Sequence, residues 1–192
     1  VFDDVAFGPK NMGLGKEEVG ERVRDSLRLA GLDPEEVERV SPFRLSGGMR
    51  RRAAIAGVLA LRPEVLVLDE PTAGLDPRGR RQLMDRIEDF RRQRGTTVVL
   101  VTHNMEEVAR LAERVAVLHR GRLAMLGPPR EIFKRAAELR GLGLDLPAPT
   151  DLMHKLSAAG KPVRTGILTN AEAVDEVEKL IRQDLKEKNK KD

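Results

Sequence analysis

The 192-residue chain has no cysteine, no tryptophan and no tyrosine, and only five phenylalanines. Without cysteine there is neither a disulfide framework nor a thiolate metal site. With aromatics at 3% of residues, the platforms on which nucleic acid stacks its bases are missing, so no nucleic-acid partner is expected. Long apolar runs are absent as well. The longest, Ala53–Leu61, falls far short of the roughly 20 residues that cross a bilayer, and no leader pattern opens the chain. A soluble protein is expected, with any membrane association made through a partner. Nor does charge of one sign prevail: 35 basic against 31 acidic residues leave a net charge of +4. The basic clusters Arg50–Arg52, Arg78–Arg81, Arg91–Arg94 and Lys186–Lys191 are expected to be solvated helix faces and a ragged tail.

What is present is patterned. Val19, Val23 and Leu27 recur every four residues, which predicts an amphipathic helix over 16–30 closed by Gly31. Asp33-Pro34-Glu35-Glu36 is a helix start, with an Asp cap, Pro in the first turn and Glu three residues after the cap. Phe7, Pro9 and Met12 fall outside any helical period and are assigned to a loop. Helices dominate to about residue 61. Val65–Leu68 is then a continuous apolar run, predicting a strand buried on both faces, and Thr97–Val101 predicts a second. Between them, Asp76-Pro77 opens a helix that reaches about Arg92 and ends at Gly95. Asn104 with Glu107 starts another helix, and Arg114–Leu118 and Leu123–Leu126 flank Arg120-Gly121 as a hairpin. Pro128-Pro129-Arg130-Glu131 begins a helix that runs out at Gly141-Leu142-Gly143. Alternating strands and helices of this kind predict a parallel sheet with crossovers. Past a Gly/Pro-rich boundary near 140–150 come two short helices, around 150–159 and 171–183, the second announced by Thr169-x-x-Glu172.

Four segments carry chemistry. Ser46-Gly47-Gly48 stands just before the run Met49–Leu61 and therefore forms a helix N-terminus, where free amides and the helix dipole favour an anion. Glycine there lets a phosphate come close to the backbone. Asp69 and Glu70 end the first strand; alternation sends consecutive side chains to opposite faces, so the two cannot share one task. Adjacent carboxylates of this sort suit a metal ion and a water. Asp76 is placed to cap the helix that follows it, and His103 follows the second strand directly. Taken singly, each has a plain structural explanation: a serine cap, a solvent-facing acidic pair, an aspartate cap, a structural histidine. Order and spacing argue against chance, with Asp69 lying 23 positions after Ser46 and His103 lying 33 after Glu70. His119 and His154 match no motif.

Leu45-Ser46-Gly47-Gly48-Met49, Val65-Leu66-Val67-Leu68-Asp69-Glu70-Pro71-Thr72, Gly74-Leu75-Asp76-Pro77 and His103 resemble the signature loop, Walker B segment, D-loop and switch histidine of ABC-type ATPases. The resemblance spans about residues 1–135. Val1–Pro9, Met49–Gly57, Leu142–Pro147, Leu152–Leu156 and Gly166–Thr169 further resemble the ATPase subunits of energy-coupling-factor transporters, including the cobalt and nickel importers. The resemblance implies an α/β, P-loop NTPase-like ABC ATPase fold in partial form. A helical subdomain with the signature helix would occupy 1–61 and the C-terminal part of the parallel-sheet core 62–140. A small α-rich extension would occupy 141–185, and a charged tail, expected to be disordered, 186–192.

By the same resemblance, Ser46, Gly47 and Gly48 bind the γ-phosphate of ATP held by a second subunit, and Asp69 orients Mg²⁺ through its water shell. Glu70 polarises the attacking water as general base, His103 contacts the γ-phosphate, and Asp76 adds a contact across the dimer to its capping role. Met49 stands where the wider family more often has glutamine, a change that leaves the backbone amides intact. The implied partners are a second ABC ATPase subunit (homodimer or heterodimer), a transmembrane energy-coupling component and a substrate-binding membrane protein. The implied setting is the cytoplasmic face of a prokaryotic membrane, with ATP hydrolysis driving uptake of a transition-metal ion or vitamin. The first ~60 residues would hold the groove for the membrane partner's coupling helices. No G-x-x-x-x-G-K-[ST] phosphate loop occurs, and the chain opens at Val1 in mid-motif. It is therefore expected to be N-terminally truncated and, alone, inactive. Two other classes remain open: a soluble ABC-type ATPase of DNA repair or translation, against which the compact 23-residue gap argues, and a nucleotide-insensitive regulatory module.

Overall fold

A computed structural model of the chain describes residues 1–188, with side chains to residue 183. The chain divides into two compact units, Val1–Val101 and Thr102–Asp192.

The first unit begins with helices α1 (Phe2–Asn11), α2 (Lys16–Leu29), α3 (Pro34–Val37) and α4 (Gly47–Leu59). Strand β1 (Val65–Asp69), helix α5 (Pro77–Arg94) and strand β2 (Thr97–Val101) complete it. The four-residue spacing in α2 does what it predicts: Val19, Val23 and Leu27 are all buried, packed with Val5 and Ala6 of α1 and Ala56 of α4. Asp33 caps α3 by accepting the Glu35 N–H at 3.0 Å. Gly95 ends α5 in the left-handed region, at φ 67°.

The assignment of Phe7, Pro9 and Met12 to a loop is corrected. Phe7 and Pro9 lie within α1, and Met12 is its C-terminal cap. Gly8 and Pro9 read as breakers, yet a Cβ added at Gly8 would sit 2.4 Å from Leu61 Cδ2, so the glycine lets α1 lie against the chain leaving α4. Pro9 forgoes the N–H that would reach back one turn, while its ring is buried.

Strands β1 and β2 pair in parallel, from Val65 opposite Thr97 to Asp69 opposite Val101. Burial on both faces does not follow. Leu66 and Leu68 are buried, but Val65 and Val67 are 56% and 63% exposed, and Val99 and Val101 are also exposed. An apolar run shows that a strand forms; it does not show that both its faces are covered by this chain.

The second unit holds α6 (Met105–Leu111), β3 (Val115–His119), β4 (Arg122–Gly127), α7 (Pro129–Lys134), α8 (Ala136–Gly141), α9 (Ala148–Ala158) and α10 (Asn170–Lys188). Strands β3 and β4 form their own antiparallel sheet and do not extend the parallel pair, a second correction. Arg120 and Gly121 both have positive φ, 48° and 73°, the geometry of a two-residue hairpin turn. The helix expected from Pro129 to Gly141 breaks at Arg135 (φ −86°, ψ 47°) into α7 and α8. One core gathers Val117, Met125, Ile132, Phe133 and Leu139; a smaller one joins Met153, Ile167 and Ala173. Thr169 and Glu172 form the reciprocal box their spacing predicts: Glu172 N–H donates to Thr169 Oγ1 at 3.2 Å, and Thr169 N–H to Glu172 Oε2 at 3.3 Å. Of the charged tail expected over 186–192, helix α10 takes in residues up to Lys188 and the remainder lies outside the described residues. Among the described residues, no helix is long and apolar enough to cross a membrane.

Candidate functional site

Ser46 is the N-cap of α4, with its Oγ accepting the Met49 N–H at 3.2 Å. The cap leaves the amides of Gly47 and Gly48 at the head of a 13-residue helix. Gly47 is exposed, and a Cβ placed there would meet nothing within 4 Å, so an anion has open approach to the backbone. A Cβ at Gly48 would come within 3.5 Å of Leu75 Cδ2, which makes the glycine loop and the segment after β1 direct neighbours. Gly48, Gly74, Leu75 and Asp76 line one cleft of about 320 Å³, with Arg52 and Arg86 on its wall.

Asp76 caps α5 as expected, Oδ1 accepting the Gly79 N–H at 2.9 Å. A Cβ at Gly79 would stand 2.6 Å from that oxygen, so a larger residue there would make the Asp76 carboxylate shift within its cap.

Asp69 is the last residue of β1 and exposed; Glu70 is half-buried. The Glu70 N–H donates to the Val101 carbonyl at 2.9 Å, continuing the ladder by one bond. Its φ then turns to +45°, a left-handed conformation rare outside glycine. The turn that follows is closed by the Ala73 N–H donating to the Glu70 carbonyl at 3.2 Å. The guanidinium of Arg51, from α4, grips the same turn: Nη1 donates to the Ala73 carbonyl at 3.0 Å and Nη2 to the Glu70 carbonyl.

That grip corrects the expectation of a solvated face for Arg51 and Arg52, both half-buried, while Arg50 is exposed as expected. All three donate to main-chain carbonyls, Arg50 to Leu45 at 3.3 Å and Arg52 to Gly31 at 3.2 Å. A signal was available. Successive helix residues turn by about 100°, so three consecutive arginines cannot share one solvent face.

His103 belongs to the second unit and is exposed. The turn that carries it is well fastened. Thr102 Oγ1 accepts the Asn104 N–H at 3.0 Å and meets Glu107 Oε2 at 3.3 Å, while Asn104 Oδ1 caps α6 by accepting from Glu106 and Glu107. His154 Nε2 lies 3.2 Å from the Phe133 carbonyl, a structural contact.

For a metal, the described residues offer no group of three or more His, Cys, Asp or Glu side chains. The exposed Asp69 carboxylate is a single oxygen donor of the hard type that Mg²⁺ takes, and this ion usually keeps several waters and binds through one or two carboxylates plus substrate phosphates. One exposed carboxylate fits such an ion only as part of a shell completed by waters and substrate oxygens.

Comparison with known proteins adds names. A family model described as "AAA domain, putative AbiEii toxin, Type IV TA system" matches residues 4–109. The chain is 55% identical over 174 residues to an "Energy-coupling factor transporter ATP-binding protein EcfA2" of Symbiobacterium thermophilum, covering 91% of this chain and 60% of that protein. It is 48% identical to the protein of the same description from Bacillus licheniformis, covering 96% of this chain and 64% of the relative. The chain thus spans about three-fifths of the length of these curated relatives. Among solved structures it is similar to cbiO1 from Clostridium perfringens, described as part of the ABC transporter complex cbiONQ. The TM-score is 0.62 and the identity 37%, over 78% of this chain and 59% of that one.

Proposed function

This chain belongs to the ABC-type ATPase family, and on that premise we propose that it is part of the ATP-binding subunit of an energy-coupling-factor-type importer. ATP hydrolysis by that subunit drives uptake of a micronutrient, a transition-metal ion or a vitamin. The observation that carries the reading is the adjacency of the Ser46-capped glycine helix to the Gly74–Asp76 segment, on a chain whose relatives are energy-coupling factor ATP-binding proteins.

Mg²⁺-ATP supplies the transferable phosphoryl group and the cation that offsets its charge. Ser46, Gly47 and Gly48 present backbone amides to the γ-phosphate of a nucleotide seated on a second subunit. Asp69 would hold the water shell of the cation. Glu70 would accept a proton from the attacking water, His103 would contact the γ-phosphate, and Asp76 would contact the opposite subunit. The second ATPase subunit, a homologous or identical chain, completes each site. The transmembrane energy-coupling component and a substrate-binding membrane protein complete the importer at the cytoplasmic face of the membrane. Around the first helix, Phe7 and Met12 are the residues suited to touch the membrane partner, since they are 69% and 53% exposed, whereas Pro9 is buried.

The test is Glu70→Gln in the full protein. Nucleotide binding should persist while turnover falls about 10²–10⁴-fold, the usual worth of a general base. Turnover at the normal rate would remove Glu70 from the mechanism.

A further inference from the structure

The Arg51 fork is used by nothing in the mechanism above, and its position is unusual. It rises from α4, the helix whose first turn is the glycine loop, and ends on the two carbonyls that bracket the turn Glu70–Ala73. We infer that Arg51 is a positioning residue for Glu70, holding the strand-to-turn backbone so that the carboxylate meets its water. The inference rests on the general-base reading of Glu70 and deepens it.

Three observations support it. First, Glu70 sits at φ +45°, where a side-chain-bearing residue is strained and persists only if neighbours hold it. Second, its carbonyl accepts from both the Ala73 N–H and the Arg51 guanidinium while its N–H donates to the Val101 carbonyl, so the peptide groups on both sides of the strained Cα are held. Third, guanidinium is the group for this task. Its planar donors reach two acceptors at once in a fixed geometry, which an ammonium does not reproduce. Arg51 thereby also joins the phosphate-facing helix to the turn bearing the general base, within one unit of one chain.

A plain structural staple would predict lost stability and little else. A positioning residue predicts a kinetic pattern. In the full protein, Arg51→Met should lower kcat on the order of 10- to 100-fold, the scale of a small misplacement of a catalytic group. KM for ATP should stay within about twofold, since the mutation leaves ground-state binding alone. Arg51→Lys should recover part of the loss. Adding Arg51→Met to Glu70→Gln should cost no further rate, because a residue acting through Glu70 then has nothing to position. If Arg51→Met does not fold, Arg51→Gln carries the same test. Equal losses in both backgrounds, or a raised KM with unchanged kcat, would overturn the inference while leaving Glu70 as base. Normal turnover by Glu70→Gln alone would overturn both.

Discussion

Arginines link separate elements in both units, but they end on different acceptors. In the first unit Arg51 reaches the carbonyls of Glu70 and Ala73, Arg52 that of Gly31, and Arg86 that of Arg28 at 2.7 Å. In the second unit Arg130 pairs with Glu172, Arg140 with Asp151 and Arg164 with Glu176, each across more than ten positions of chain. The division has exceptions, Arg24 with Glu38 in the first unit and Arg130 with the Gly166 carbonyl in the second. It still has a physical consequence. A carbonyl cannot take up a proton in the ordinary range, so the arginine contacts that hold the Glu70–Ala73 turn, Gly31 and Arg28 keep their strength as pH changes. Carboxylates can. The Lys155 ammonium and Arg140 guanidinium hold Asp151 below its usual value, Arg130 does so for Glu172, and Arg164 for Glu176.

Four perturbations break or sharpen this contrast. The largest tests whether the units differ only in their arginines. Phe90 and Phe133 are each buried to 1% exposure, one in each unit. Phe90→Ala and Phe133→Ala should cost about 3–5 kcal/mol each, read from urea midpoints; a cost outside that range for one alone would mean that the cores differ too. Next, Glu176→Gln should destabilise by about 1 kcal/mol at neutral pH, through weakened bonds to Arg164, whose exposure limits the effect. Arg52→Met should cost a similar amount, but equally at pH 4 and pH 7, because its acceptor is the Gly31 carbonyl.

The third concerns acid. A carboxylate whose folded value is depressed contributes stability above its unfolded value and loses it as pH falls through the folded one. The ordered state of the second unit should therefore weaken from about pH 4 downward, near the unperturbed carboxylate range. Amide exchange at Leu168, whose N–H donates to Glu172, reports it. Glu88, held low by Arg91 and Arg92, gives the first unit a smaller response. Unchanged exchange at Leu168 down to pH 3 would refute the sign. The smallest effect is expected of Arg135→Ala, which removes an exposed pair with Glu138 three residues away and should leave the thermal midpoint unmoved.

Legibility followed the same divide. Caps announced themselves because donor and acceptor lie within three residues: Ser46 to Met49, Asp76 to Gly79, Asn104 to Glu107, Thr169 to Glu172. The two parallel strands were equally plain. The Arg51 fork was not, since its acceptors are main-chain oxygens 19 and 22 positions away that no residue letter advertises. Helix α1 hid behind Gly8-Pro9, whose ordinary meaning is overruled by close packing against Leu61. The open faces of β1 and β2 were hidden as well, because the apolar spelling of Val65–Leu68 and Thr97–Val101 is the same whether one face is covered or two.

Those open faces also govern how the chain behaves in a test tube. Val67 and Val99 stand opposite each other in register, flanked by Val65 and Val101, on segments rich in β-branched residues and free of charge until Asp69. Such windows are the raw material of intermolecular sheet stacking. Yield of the 192-residue chain on refolding should thus fall as its concentration rises, with turbidity appearing before any loss of helix. A single gatekeeper, Val99→Lys, should raise the soluble fraction by setting like charges against each other when two such faces meet.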